Sequence, residues 1–313
     1  MSDKKIIAVM GATGAQGGGL VRAIHADPAS PFAARAITRN AHSDAAKALA
    51  DLGAEVVEAD VADGGAIVNA FKGAHGAYCV TFYWAHMDPE REIAEAHTLA
   101  DAAKAADVKH VVWSTLEDTR KWVPLDSDQM PTIHDHYKVP HFDTKGESNR
   151  FFYNRVPTTF LLTSFYWDNL IYFGMNPKPD GQGRYAFTLP TGDAKMPGIA
   201  AEDIGKCAYG IYQQGVVDKT VGVAGEHLSG AEMAAIMSEV LSIDCYHNSV
   251  TPEQYRGFGF PGADDLGNMF QFYRDFEKDF RAPRDPAIAR GFNPELQDFR
   301  TWLTRNKDRI PLT

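Results

Sequence analysis

Apolar positions along this chain come in short runs separated by amphipathic stretches. Ile6-Ile7-Ala8-Val9-Met10 is an unbroken apolar run, the mark of a strand buried on both faces. Ala15–His25 reads as a helix and Phe32–Arg39 as a second strand. Asp44–Leu52 reads as a helix that Ser43 caps and Gly53 ends. The alternation continues with strand Ala54–Glu58, helix Gly65–Phe71, strand Ala77–Phe82, helix Glu90–Ala106 and strand Lys109–Ser114. Strand and helix alternating at this spacing predict an α/β protein with a doubly wound parallel sheet, right-handed crossovers and helices on both faces.

The regularity breaks at Glu117–Pro140, a polar, proline-containing segment that is long for a connection and reads as functional or mobile. Helix Asp143–Asn154 and strand Thr158–Thr163 follow. From residue 165 the chain turns rich in Gly, Pro and aromatics, with Phe165, Tyr166, Trp167, Tyr172 and Phe173 close together. This predicts a first domain over residues 1–164, with core elements returning within about 197–225. A smaller, mainly helical C-terminal domain on the substrate side then covers 165–313 and closes a cleft. Ala200–Gln213 reads as a helix that rejoins the core. Leu266, Met269, Phe270, Tyr273, Phe276 and Phe280 recur at helical spacing, read first as core packing and second as a lid over the cleft.

The first strand runs into Gly11-Ala12-Thr13-Gly14-Ala15-Gln16-Gly17, a glycine turn that opens a helix. Strand, glycines and helix in this order predict a dinucleotide-binding, Rossmann-like fold. Gly11 allows the tight turn, Gly14 a close approach to a pyrophosphate, and Gly17 close packing of helix on strand. Free N–H groups at the helix start face the phosphates, aided by the helix dipole. Where an NAD site places a carboxylate at the end of the second strand, this chain reads Ile37-Thr38-Arg39-Asn40. Arg39 offers a cationic fork to a 2′-phosphate, which points to NADP(H). Asp60, with Val61, reads either as an adenine contact or as a turn cap.

The 313 residues carry 31 basic and 41 acidic side chains, a net charge of −10, and no basic stripe. That argues against direct nucleic-acid binding. No apolar stretch reaches membrane-spanning length. The start leads straight into the first strand and leaves no room for a signal peptide, and the three cysteines read as free thiols of a reducing, cytoplasmic compartment. Monomer and homodimer both remain open.

Several segments together resemble the NmrA-like family of atypical short-chain dehydrogenase/reductases. They are the glycine turn through Gly18, Ile37–Asn40, Gly53–Val57, His141-Phe142-Asp143-Thr144-Lys145-Gly146-Glu147, Leu189–Asp193 and Gly259–Phe270. The likeness spans nearly the whole chain and is closest to the redox-sensor branch, the NmrA-like family domain-containing proteins. It implies NADP(H) contacts at Gly11, Ala12, Thr13, Gly14, Ala15, Gln16, Arg39, Asp60, Val61, Thr81, Phe82, Tyr83, Lys145, Tyr166, Trp167, Asp168 and Asn169. Two positions depart from the family pattern. Ala41-His42-Ser43 stands where relatives often carry further basic residues, and a second family lysine falls near Ala94.

Working short-chain reductases pair Tyr-x-x-x-Lys with a Ser near the end of the fifth strand. Here Ser114 and Lys145 are in place, and His141 stands at the Tyr position. An imidazole titrates near neutrality and can donate a proton, although His141 could equally cap or pack the helix start behind Pro140. Tyr83 and Tyr137 are further candidate donors. His134, His136 and His141 with Asp128 and Asp135 lack a helical His pair, so no metal site is expected. Two functions follow: a cofactor-sensing regulator with weak reductase activity and a protein partner, or an NADPH-dependent reductase of a small carbonyl, quinone or similar acceptor.

Overall fold

The computed structural model describes residues 4–312. The opening residues on which the absence of a leader was read lie mostly outside that span. In the first half the chain forms β1 (Lys5–Val9), α1 (Ala15–Ala26), β2 (Phe32–Thr38), α2 (Asp44–Asp51), β3 (Glu55–Glu58), α3 (Gly64–Phe71) and β4 (Gly76–Cys79). Next come α4 (Pro89–Ala105), β5 (His110–Thr115), α5 (Pro140–Ser148) and β6 (Thr158–Leu162). After β7 (Phe165–Tyr166), α6 (Asn169–Tyr172), β8 (Lys178–Pro179), β9 (Tyr185–Leu189) and β10 (Met196–Ile199), the chain returns through α7 (Ala201–Gln214) and β11 (Thr220–Gly222). Strand β11 completes a seven-stranded sheet in the order β11-β6-β5-β4-β1-β2-β3. Every pairing in it is parallel. This is the doubly wound, Rossmann-like α/β sheet that the alternating pattern predicts. Among the described residues no helix is long and apolar enough to cross a membrane.

The remaining chain is mainly helical but not wholly so. Strand β12 (Glu226–Leu228) joins β10 and β7, and β13 (Cys245–Ser249) joins β9 and β8, giving two small three-stranded sheets. Helices α8 (Gly230–Leu241), α9 (Pro252–Arg256) and α10 (Ala263–Asp275) pack around them. Trp167, Phe187, Phe270, Phe280, Phe299 and Trp302 centre this second core, which is separate from the two layers against the large sheet. Phe270 and Phe280 of the aromatic stripe are fully or nearly fully buried in it, beside Phe272. Leu266, Met269 and Tyr273 belong to the same core and also line the cleft. The stripe therefore serves both as core and as cleft wall.

Three boundaries differ from the sequence pattern by three residues or more. Helix α5 begins at Pro140, three residues before Asp143, because proline fits the first turn, where an N–H would go unpaired anyway. It ends at Ser148 and passes into a single 3₁₀ turn, short of Asn154. Strand β4 stops at Cys79, and Val80-Thr81-Phe82 leaves the sheet to line the cleft before a 3₁₀ turn at Tyr83–Ala85.

The segment before α5 is anchored rather than loose. Asp143 is fully buried, and its carboxylate accepts from Thr119 N at 2.7 Å, Thr119 Oγ1 at 2.6 Å, Lys138 N at 2.7 Å and Val139 N at 3.0 Å. From α10, Asn268 donates to Lys138 O at 2.6 Å and Gln271 to Gln129 O at 2.6 Å. Buried Arg284 grips Glu117 through two nitrogens at 2.5 and 2.8 Å. The Asp143 carboxylate accepts from four buried donors, so Asp143→Ala strands them. The expected loss is about 3–5 kcal/mol in unfolding free energy, measured by urea denaturation. A loss below about 1 kcal/mol would mean the segment is held elsewhere.

Candidate functional site

A cleft of about 890 Å³ opens at the carboxyl ends of the sheet strands, between the glycine turn and the second core. That is where open α/β sheets place their ligands. Its floor is the glycine turn. Gly11 adopts φ +61°, and a Cβ on Gly17 would stand 2.5 Å from the Gly11 carbonyl oxygen, so any side chain there would force the turn open. Gly14, at the N-cap of α1, provides no side chain to cap the helix. The first N–H groups of a twelve-residue helix therefore face the cleft ready for an anion.

The structure gathers most of the expected site residues around this cleft. Gly11, Thr13, Gly14, Ala15, Gln16 and Gly17 line it at one end, with Arg39, Asp60 and Val61 beyond them. Thr81, Phe82, Tyr83, Ser114, His141 and Lys145 line the middle, and Tyr166, Asp168 and Asn169 the far wall. Two of the expected residues do not line the cleft. Ala12 is fully buried and packs into the sheet core, and its N–H donates to Ile37 O. The Trp167 side chain turns away from the cleft to pack against Phe299 and Trp302. Alternation along the extended backbone sends Tyr166 into the cleft and its neighbour into the second core. Tyr137 also lies outside the cleft, paired with Ile133 through the backbone and covered by Arg120.

Individual side chains do more than line the wall. Asp60 accepts the Ala62 N–H at 2.9 Å, so it braces its own turn while facing the cleft. Asp168 accepts the Ala201 N–H at 2.9 Å, which ties the start of α6 to α7, and burial raises its carboxyl above the usual range. Gln16 is a hub. Its Oε1 accepts from Tyr78 and, at 2.9 Å, from Ser114 Oγ, and its Nε2 donates to Tyr166. One residue of the glycine loop thus joins β4, β5 and β7. Burial pushes the Tyr166 phenol up to about 12 and that of Tyr83 higher still, so both stay protonated at neutral pH.

His141 and Lys145 stand four residues apart on one face of α5. His141 Nδ1 lies 2.5 Å from Asp265 Oδ1, and its backbone N–H donates to the other carboxylate oxygen at 3.1 Å. A carboxylate only accepts, so the ring carries its proton on Nδ1 and leaves Nε2 for other work. The imidazole does not cap the helix; it is buried and packs against Tyr83, Trp84 and Phe142 while lining the cleft. Its ring lies 4.8 Å from Trp84, and Trp84 in turn touches the turn before α10. A Cβ on Gly262, at φ +83°, would come within 2.8 Å of Trp84 Cζ3. Asp265 carries no sequence cue by itself. Only its place in the Gly259–Phe270 motif hinted at a role.

Lys145 is fully engaged. It donates to Thr81 O at 3.1 Å, Thr81 Oγ1 at 2.7 Å and Glu92 Oε1 at 2.7 Å. Glu92 is completely buried on the inner face of α4, and Thr81 Oγ1 also donates to its Oε1 at 2.6 Å. Its position two residues before Ala94, where the family lysine is missing, was the available sequence signal. His86 Nε2 stands 3.4 Å from Glu92 Oε2 and 3.9 Å from Glu95 Oε2. This trio offers ligand atoms within 4.8 Å of one another. Yet the Asp88 N–H donates to His86 Nδ1 at 3.0 Å, which fixes the ring proton on Nε2 and blocks it as a ligand. The cluster already holds a cation, the Lys145 ammonium. His134 and His136 do not join His141.

Comparisons with known proteins bear on the family and the fold. The model of the NmrA-like family matches residues 3–302. The chain belongs to the NmrA-like family. The NmrA-like family domain-containing oxidoreductase FrzB of Cladobotryum sp is 30% identical over 306 residues, covering 91% of this chain and 88% of the relative. Among solved structures, NmrA, a negative transcriptional regulator in complex with NADP, superposes with a TM-score of 0.78 at 22% identity. The match covers 96% of this chain and 94% of that one. The Citrobacter sp. triphenylmethane reductase complexed with NADP(H) gives 0.72 at 21% identity, with 96% and 99% covered. At these identities the structures speak for the fold.

The Gln16 hub has a measurable consequence. Gln16→Ala leaves the buried Tyr78 and Tyr166 hydroxyls without this partner. The expected cost is about 2–3 kcal/mol of unfolding free energy by urea titration. An unchanged midpoint would show that the hub holds nothing.

Proposed function

We propose that this protein is an NADP(H)-dependent oxidoreductase in which His141, held by Asp265, supplies the proton. The observation that carries this reading is the buried Asp265 carboxylate, which fixes the imidazole of His141 in the cleft wall. The cofactor fits the residues present. The uncapped start of α1 suits a pyrophosphate, and exposed Arg39 with Asn40 and Ser43 suits a 2′-phosphate. Related proteins point the same way: FrzB is named an oxidoreductase, and NmrA and triphenylmethane reductase were solved with NADP and NADP(H).

The reduced cofactor, when bound, supplies a hydride to an electrophilic carbon of the acceptor. The chain's own work is to hold the acceptor and move the proton. Protonated at both nitrogens, His141 gives its Nε2 proton to the oxygen that gains charge, and keeps its Nδ1 proton toward Asp265. Solvent then restores the proton. Phe82, Tyr83, Trp84 and Leu266 give the acceptor an apolar seat.

A second reading is a redox sensor with only trace hydride transfer. It is supported by how little of the usual Tyr-Lys-Ser apparatus is free. Ser114 is given to Gln16, all three Lys145 donors are spent inside the protein, and buried Tyr83 resists ionisation.

Two measurements test these readings. Arg39→Ala should cost NADPH about 1.5–3 kcal/mol of binding free energy and leave NADH nearly unchanged, by calorimetric titration. Equal wild-type affinity for both cofactors would contradict NADP(H) selectivity. His141→Ala should lower NADPH oxidation with a quinone or ketone acceptor by about 10²–10⁴-fold, with cofactor affinity kept. Trace wild-type turnover that His141→Ala leaves unaltered would favour the sensor.

A further inference from the structure

The Glu92–Lys145 pair does not behave like a packing element. Elsewhere the inner face of α4 is apolar, with Ala96, Leu99, Ala100 and Ala103 buried. At Glu92 the chain buries a carboxylate instead, which is costly unless its charge is used. One oxygen, Oε1, takes both Lys145 and Thr81. The other, Oε2, is buried without a hydrogen-bond partner, and so is the facing His86 Nε2. Glu92 itself is walled off from the cleft, whereas Lys145 and Thr81 line it. The ligand therefore meets Lys145 with its charge already cancelled from behind.

We propose that Glu92 is a specificity-determining residue that sets the preference between oxidised and reduced nicotinamide cofactor. The inference rests on the cofactor-binding reading above and holds for reductase and sensor alike. The oxidised ring bears one more positive charge than the reduced ring, so an uncancelled ammonium in the wall disfavours it. The other titratable groups facing the pair each have a partner of their own. From α4, Glu95 is paired with Arg91 at 2.9 Å. From the loop before α4, His86 Nδ1 accepts the Asp88 N–H at 3.0 Å. Across the cleft, Asp265 holds His141. Removing the Glu92 charge thus leaves one net cation, Lys145, on the wall. A unit charge at several ångströms in a partly screened site changes binding of a cationic ring by about tenfold.

The test is the ratio of dissociation constants, Kd for NADP+ over Kd for NADPH, by calorimetric titration without acceptor. Glu92→Gln keeps the shape and should raise the ratio about tenfold over wild type. Lys145→Met keeps the Glu92 charge alone and should lower it about tenfold, and this arm stands even if Glu92→Gln does not fold. The double variant should return near the wild-type ratio. A purely structural role weakens both cofactors equally and leaves the ratio alone. A ratio unchanged within twofold in single variants that still bind would overturn the proposal. Wild type that binds neither cofactor would overturn the cofactor reading itself, and this inference with it.

Discussion

The contact between His141 and Asp265 is the constraint on which the site depends. One partner sits in the first turn of a helix packed on the parallel sheet, and the other in the first turn of a helix from the second core. Both are buried, so each needs the other: a charged or polar group left alone there costs far more than the pair gains. The same helix α10 holds the anchored segment before α5 through Asn268 and Gln271. The cleft is thus closed by polar contacts of fixed geometry, and its apolar walls are carried along with them.

The glycine turn is the second fixed point. Gln16 extends it across three strands, so the floor and the far wall of the cleft are one hydrogen-bonded unit. This ties the place where a pyrophosphate would bind to Tyr166 on the substrate side.

Legibility followed locality. Strands such as Ile6–Met10 and helices such as Asp44–Leu52 were readable because burial, capping and glycine stops are written within a few residues. The glycine turn, Arg39, Ser114, Lys145 and the position of His141 were readable for the same reason. Asp265 and Glu92 were not, because their meaning comes from partners 124 and 53 residues away. Trp167 and Ala12 were placed in the cofactor site because their neighbours belong to the motif, but a residue's facing depends on backbone alternation that a motif does not show. The segment before α5 looked loose by composition. Its order comes from the buried acceptor Asp143 and from α10, both supplied by the tertiary structure.

The central claim is that His141 is a cleft-facing imidazole whose Nδ1 proton is held by Asp265. Nitrogen-15 NMR of histidine-labelled protein, with His141 assigned by its Gln variant, tests it directly. The account predicts a protonated Nδ1 with a strongly downfield proton that Asp265→Asn abolishes. It also predicts an Nε2 resonance that shifts on adding NADP+. A ring protonated on Nε2 alone, or one indifferent to both the substitution and the cofactor, would contradict it.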